Sequence, residues 1–278
     1  MEDSPFYEQP LITPPAGRPA PRIWRDLPYR EEDDPVTRLD IYRPAADPPA
    51  GGYPLLVFLH GGPLGAGRDQ PWPKEWRVFQ DYGRLAAEQG LAAVVINHRY
   101  VNYDWLVRAI EDVAQALKVI GASQESYGVN AARYALWAFS GAGMLLSPFL
   151  DGDIPGLRAV ACFYPMLDLT HVEQAMAAYS DEELIALSPL SHVELIPRDL
   201  PLLVARGGLD KPGLNRAIDS FVMEALSRNR RLEVFNLPFD GHSFDMFGES
   251  EAARSAVTDG LAFLKRHLFE DNEETSHE

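Results

Sequence analysis

The stretch that decides the fold is Tyr134-Ala135-Leu136-Trp137-Ala138-Phe139-Ser140-Gly141-Ala142-Gly143, with Met144, Leu145 and Leu146 behind it. Its first six residues form an apolar run and read as a buried strand. The run stops at a serine set among small residues, and a helical pattern begins after it. Strand, tight turn with serine at the tip, then helix is the geometry of a nucleophile elbow. Such a turn lifts the hydroxyl clear of the sheet and aims the positive end of a helix at it. Strand and helix pass close there, so small residues are expected two before and two after the serine. Glycine commonly fills both places; here they are Ala138 and Ala142.

Outward from that stretch, strand and helix patterns alternate. Residues 54–59 (Pro-Leu-Leu-Val-Phe-Leu) and 91–96 (Leu-Ala-Ala-Val-Val-Ile) are short continuous apolar runs, as central parallel strands are. A helix is expected between them, over about 74–89, with Gly90 as its stop. Leu106, Ile110, Val113, Leu117 and Ile120 recur at intervals of four, three, four and three, which is one face of an amphipathic helix. Further strands are expected at 157–164, 200–205 and 231–236. Helices are expected at about 213–228 and at the end, where Val257, Leu261, Leu264 and Leu268 share a face. Two short strands, 23–29 and 38–42, precede all of these.

Alternating strands and helices predict an α/β fold with a mostly parallel central sheet and helices on both faces. There is no internal repeat and no composition break, so residues 23–269 are expected to form a single domain. Residues 1–22 carry six prolines and read as an irregular arm on the surface. Residues 166–198 read as an insertion with helical pieces broken by Pro189 and Pro197, and 270–278 as a polar tail.

Composition narrows the function. A formal net charge of −16 repels a polyanion, so neither nucleic acid nor an anionic membrane surface is an expected partner. The single cysteine, Cys162, allows no intrachain disulfide and sits in an apolar run as a small core residue. No apolar run approaches the ~20 residues of a membrane span. The first residues are acidic and lack the basic and apolar regions of a signal peptide. A cytoplasmic location is therefore expected; the oligomeric state is unreadable. His98, His171, His192, His267 and His277 show no metal-ligand spacing, and neither a metal nor a cofactor is expected. The glycine run 61–67 is not a phosphate loop, because Arg68 and Asp69 stand where Lys and Ser/Thr are required.

In open parallel sheets the chemistry sits at the carboxyl ends of the strands. Four segments meet that rule: those at residues 60, 140, 210 and 242. Ser140 offers a hydroxyl, which needs a base within reach to act as a nucleophile. His242 is a residue that can take and return that proton. Asp210 can orient the imidazole and stabilise its cation, and it can equally serve as an N-cap to the helix behind it. Asp168 is the alternative acid. Backbone N–H groups must meet the oxyanion of acyl transfer. Gly141 can supply one, and the His60-Gly61-Gly62 loop another. His60 itself reads as structural, its ring pinning that loop. Trp72, Trp76 and Trp105 are candidates either for a pocket or for the core.

These residues resemble the α/β-hydrolases, in particular the carboxylesterase-like branch with an HGG loop after the third strand. The order Ser…Asp…His is that of the fold, and the resemblance runs from about residue 37 to 268. It is similar to aryl and short-chain esterases, dienelactone-hydrolase-like proteins and kynurenine formamidases. The resemblance implies an eight-stranded sheet with one antiparallel edge strand and a small cap from the 166–198 insertion. It also implies Ser140 as nucleophile, Asp210 as acid, His242 as base, and oxyanion donors at Gly61, Gly62 and Gly141. The expected function is a serine hydrolase cleaving a small carboxylic ester through an acyl-enzyme. An arylformamidase-type amide hydrolase on the same site is one alternative, and a non-catalytic ligand-binding member of the fold is the other. Pro63, which has no N–H at the third position of the loop, and the Ala138/Ala142 elbow are the features behind the last.

Overall fold

The computed structural model describes residues 5–270 except 33, 66, 68 and 153. The polar tail beyond 270, the first four residues of the arm and two positions of the glycine-rich loop therefore lie outside the described residues. Eight strands form one sheet: β1 (Arg22–Pro28), β2 (Arg38–Arg43), β3 (Tyr53–Leu59), β4 (Ala92–Ile96), β5 (Val129–Phe139), β6 (Leu157–Phe163), β7 (Leu202–Gly207) and β8 (Leu232–Leu237). Their spatial order is β1-β2-β4-β3-β5-β6-β7-β8. From β4 to β8 every pairing is parallel. The antiparallel strand is not the edge strand, as expected from the resemblance, but β2, the second one in. It runs against both β1 and β4.

Among the described residues eight α-helices accompany the sheet: α1 (Arg77–Glu88), α2 (Leu106–Ala122), α3 (Gln124–Tyr127), α4 (Glu173–Met176), α5 (Asp181–Leu187), α6 (Pro212–Ser227), α7 (Phe244–Phe247) and α8 (Glu251–Phe269). The two faces of the sheet are read directly from β3. Leu55, Val57 and Leu59 pack on one side with Leu106, Val113 and Ile120 of α2 and with Ile218 and Phe221 of α6. Leu56 and Phe58 pack on the other with Phe79 and Tyr82 of α1 and with Val257, Leu261 and Leu264 of α8. Period-two alternation in the strand thus meets period-3.6 stripes in the helices on both faces. Burial on both faces is why the central strands are apolar at every position. Among the described residues no helix is long and apolar enough to cross a membrane.

Two elements differ from the sequence expectation. The segment after Ser140 is a ten-residue 3₁₀ helix, Ser140–Phe149, not an α-helix. Pro148 inside it has no N–H for an α-helical bond, and the Ser140 carbonyl is taken by the N–H of Met166 at 2.9 Å. The arm, expected to lie irregularly on the surface, is anchored there by one buried residue. Leu11 is 1% exposed within the core on the α1/α8 face. The Leu11 N–H donates to Asp81, the Ile12 N–H to the Asp245 carbonyl, and the Ala16 and Gly17 N–H groups to the Glu88 carboxylate. The insertion carries α4 and α5, the latter started by a capping box between Ser180 and Glu183.

Candidate active site

Because β3, β5, β7 and β8 run parallel, their carboxyl ends lie along one edge of the sheet, and each delivers part of the site. Ser140 follows β5 with φ of +53°, a left-handed conformation that non-glycine residues seldom adopt. That turn aims its Oγ at the loop after β8. The Ser140 hydroxyl donates to His242 Nε2 at 2.8 Å, and His242 Nδ1–H donates to Asp210 Oδ2 at 2.6 Å. This proton placement is assigned from the partners: a carboxylate can only accept, so Nδ1 must carry the hydrogen. Asp210 is buried, and its other oxygen accepts from the Lys211 N–H at 2.6 Å. The His242 side chain keeps 38% of its surface exposed. One end of the chain of contacts is therefore fixed and the other is open to a ligand.

The loops after β7 and β8 are stitched together. Gly208 N–H donates to the Leu237 carbonyl and Leu209 N–H to that of Asp240, while Asn215 Nδ2 holds the Gly207 carbonyl. A Cβ at Gly208 would come within 2.6 Å of the Pro238 carbonyl oxygen, so the loops approach backbone to backbone. That closeness brings Asp210 and His242 together although 32 residues separate them. Asp168, the alternative acid, is not bonded to His242. Its carboxylate accepts from Thr170 N–H and Oγ1 and closes a local turn.

The loop after β3 forms the opposite wall. A Cβ on Gly61 would lie 3.0 Å from that of Ser140, and one on Gly141 would overlap the Gly62 carbonyl oxygen. Among the described residues the N–H groups of Gly61 and Gly62 have no protein acceptor. A Cβ on Gly143 would overlap the Met166 carbonyl oxygen. The elbow is thus tightest one and three residues after the serine. Ala138 and Ala142, where small residues were expected to be critical, are fully buried and fit. His60 is fully buried and stacks on His98 with ring centroids 3.6 Å apart. Its Nδ1–H donates to the Gly61 carbonyl at 2.7 Å, and its Nε2 accepts from the His98 N–H at 3.3 Å. Burial lowers the His98 pKa to about 4, so this ring is neutral.

A second polar group lies beneath His242 and was not foreseen from sequence. The Tyr164 ring packs against the imidazole at 4.6 Å. Its hydroxyl donates to Asp245 Oδ1 at 2.6 Å, and Tyr82 donates to Asp245 Oδ2 at 2.9 Å. Burial raises the Asp245 carboxyl and pushes both phenols well above their ordinary value. Tyr82, Tyr164 and Asp245 come from α1, the end of β6 and α7. No local pattern joins them; the only cue was a carboxyl three residues after His242.

Two cavities flank the Ser140–His242 pair. One, of about 750 Å³, lies beneath the 166–198 insertion, with Tyr103, Met166, Asp168, Lys211, Leu214 and Arg216 in its walls. The other, of about 230 Å³, is lined by Phe6, Leu64, Trp76, Phe79, Phe139 and Met246. Trp76 is therefore a pocket residue as well as a core one, whereas Trp105 stacks under Arg108. Among the described residues no group of three or more His, Cys, Asp or Glu side chains could hold a metal.

Comparison with known proteins agrees with this architecture. Residues 39–150 match the BD-FAE family model. A Mycobacterium tuberculosis protein named as a probable carboxylic ester hydrolase, LipM, is 25% identical over 272 residues, covering 85% of this chain. The chain spans 61% of that relative's length. Among solved structures, esterase B from Lactobacillus rhamnosis, inhibited by a tributyrin phosphonate, superposes with a TM-score of 0.74 at 16% identity, covering 94% of this chain and 88% of that one. Thermogutta terrifontis esterase 2 gives 0.67 at 20% identity, covering 94% and 97%.

Proposed function

We propose, starting from an α/β-hydrolase fold whose sequence resembles carboxylic ester hydrolases, that this protein is a serine hydrolase acting on small carboxylic esters. The observation that carries the reading is the continuous line from Ser140 Oγ through His242 to the buried Asp210, at 2.8 and 2.6 Å. In this reading Ser140 Oγ attacks the ester carbonyl carbon while its proton passes to His242 Nε2. The carbonyl π bond opens and its electrons go to oxygen, facing the N–H groups of the Gly61-Gly62 loop and of Gly141. The carbon–oxygen bond to the alcohol then breaks, and the imidazolium returns its proton to the departing oxygen. Water enters by the same steps, with His242 as base, and releases the acid. Asp210 holds the imidazole tautomer and stabilises its cation. Pro63 offers no N–H, so the loop's share of the oxyanion site falls to the two glycines.

A fluorophosphonate probe tests the nucleophile. The parent protein is expected to turn over p-nitrophenyl acetate and to be labelled at Ser140, with both lost in Ser140→Ala. Equal labelling of parent and variant, located by mass spectrometry, would remove Ser140 from the role.

A further inference from the structure

We propose that Phe6, carried on the N-terminal arm, is a specificity-determining residue that limits the length of an apolar acyl group bound in the smaller cavity. The inference rests on the esterase reading and deepens it. The two cavities beside Ser140 differ in chemistry. The larger contains Asp168, His171, Glu173, Lys211 and Arg216, and suits an alcohol portion that must leave to water after acylation. The smaller is walled by aromatic and aliphatic side chains. The one carboxyl that borders it, Asp245, has both oxygens occupied by Tyr82 and Tyr164. Apart from Ser243 and the Ser140, His242 and Gly61-Gly62 edge where the ester carbonyl would sit, the lining is apolar and repays a polar ligand little for losing water, so the favoured occupant is apolar. A volume of about 230 Å³ exceeds the ~150 Å³ that accepts a benzene molecule. A single ring or a short alkyl chain fits inside; a longer chain has to extend past the wall.

Phe6 forms part of the wall of this cavity. Its ring stands edge-on to Trp76 at 5.2 Å and tilts against Phe247 at 5.7 Å. It lines the cavity and is also 45% exposed, so the same ring faces both the cavity and solvent. The arm that bears it is held in place from behind. Leu11 is buried in the core, and Ile12 N–H donates to the carbonyl of Asp245, whose carboxylate anchors Tyr164 against His242. The position of the Phe6 ring is thereby tied to the same residue that supports the imidazole.

Phe6→Ala removes the ring that stands between the cavity and solvent beside Trp76 and Phe247. With each buried methylene worth about fourfold in binding, the ratio of kcat/KM for p-nitrophenyl decanoate to that for the butanoate is expected to rise at least ~tenfold. Phe6→Trp thickens the wall and is expected to lower the same ratio. A series of acetate esters with lengthening alcohols is expected to keep the parent's profile in both variants. The proposal is overturned if both variants keep the parent's acyl profile, or if the shift appears in the alcohol series instead. A parent protein that turns over no ester overturns the esterase reading and this proposal with it. Normal ester turnover with an unmoved acyl ratio overturns this proposal alone.

Discussion

His60 and His242 both follow strands at the same edge of the sheet, and their surroundings are opposite. His60 is fully buried, stacked on His98, with one nitrogen donating to the neighbouring carbonyl and the other accepting from the His98 backbone. Both ring nitrogens are spent on holding a loop. His242 has a buried carboxylate behind one nitrogen and a serine hydroxyl before the other, with its outer surface open to two cavities. Position at a strand end therefore does not make an imidazole reactive. What matters is whether one nitrogen is left facing a proton that has to move. In the proposed reaction the His60 loop serves as a fixed wall, and His242 is the group that handles the proton.

Breaking the His242 side gives the largest expected effect. Asp210→Asn replaces an acceptor with an amide that does not fix the Nδ1–H tautomer. If the proposed mechanism holds, it is expected to lower kcat on p-nitrophenyl acetate by roughly 10⁴-fold, the cost of that change in a Ser-His-Asp triad. Circular dichroism and the melting temperature are expected to stay close to the parent's. Asp168→Asn, which loses only the bonds to Thr170, is expected to stay within a few-fold of the parent. The reverse pattern, with Asp168→Asn inactive and Asp210→Asn near normal, would assign the acid to Asp168.

The contrast between the two loops also shows where sequence is informative. Strand-end residues are legible because apolar runs mark parallel strands, and the fold places their carboxyl ends together. Ser140, Asp210 and His242 could be picked out in that way, and the structure brings them within hydrogen-bond reach. The arm was not legible. Leu11 is a single apolar residue among prolines, with no periodicity to signal burial, and its seat is built by α1 and α8. The pairing of Tyr82 and Tyr164 with Asp245 was hidden for a similar reason. Aromatic residues in apolar stretches look like core, and only the packed fold shows their hydroxyls converging on one carboxyl. The 3₁₀ geometry after Ser140 depends on a bond from Met166, which no local pattern announces.

The His60 side is sharpened by pH. His98, stacked on His60, is held neutral by burial, with a pKa of about 4 against ~6.5 when unfolded. The unfolded chain therefore takes up a proton first as pH falls. This histidine's stabilising effect is fully present above pH 6.5 and is lost progressively down to pH 4. Between pH 7 and pH 5 the loss is about 2 kcal/mol. Urea unfolding at the two pH values is expected to show a parent that weakens by about that much more than His98→Gln does. Equal pH dependence in parent and variant would mean that His98 is not a neutral buried ring, and the wall formed with His60 would lose its physical basis.

The smallest effect is expected where the two loops meet, at the elbow. The nucleophile-elbow pattern places glycine two residues before and two after the serine, and this chain has alanine at both. If the Ala142 methyl forced the strand and the 3₁₀ helix apart, restoring glycine would relax the turn and raise kcat. The packing argues otherwise. The side-chain-free contacts are at Gly141, against the Gly62 carbonyl, and at Gly143, against the Met166 carbonyl, while Ala142 is fully buried with its methyl in the core on the α2/α6 face. Ala142→Gly removes that methyl and frees the unfolded backbone, each costing up to ~1 kcal/mol. It relieves no overlap. The expected result is a melting temperature lower by a few degrees and a kcat within about twofold of the parent, since the Ser140-to-Gly62 approach is set by Gly141. A severalfold rise in kcat in a folded Ala142→Gly protein would show that the alanine strains the elbow after all. The strand-to-helix crossing two residues from the serine, not the contact with the Gly61-Gly62 loop, would then limit how well the serine is presented.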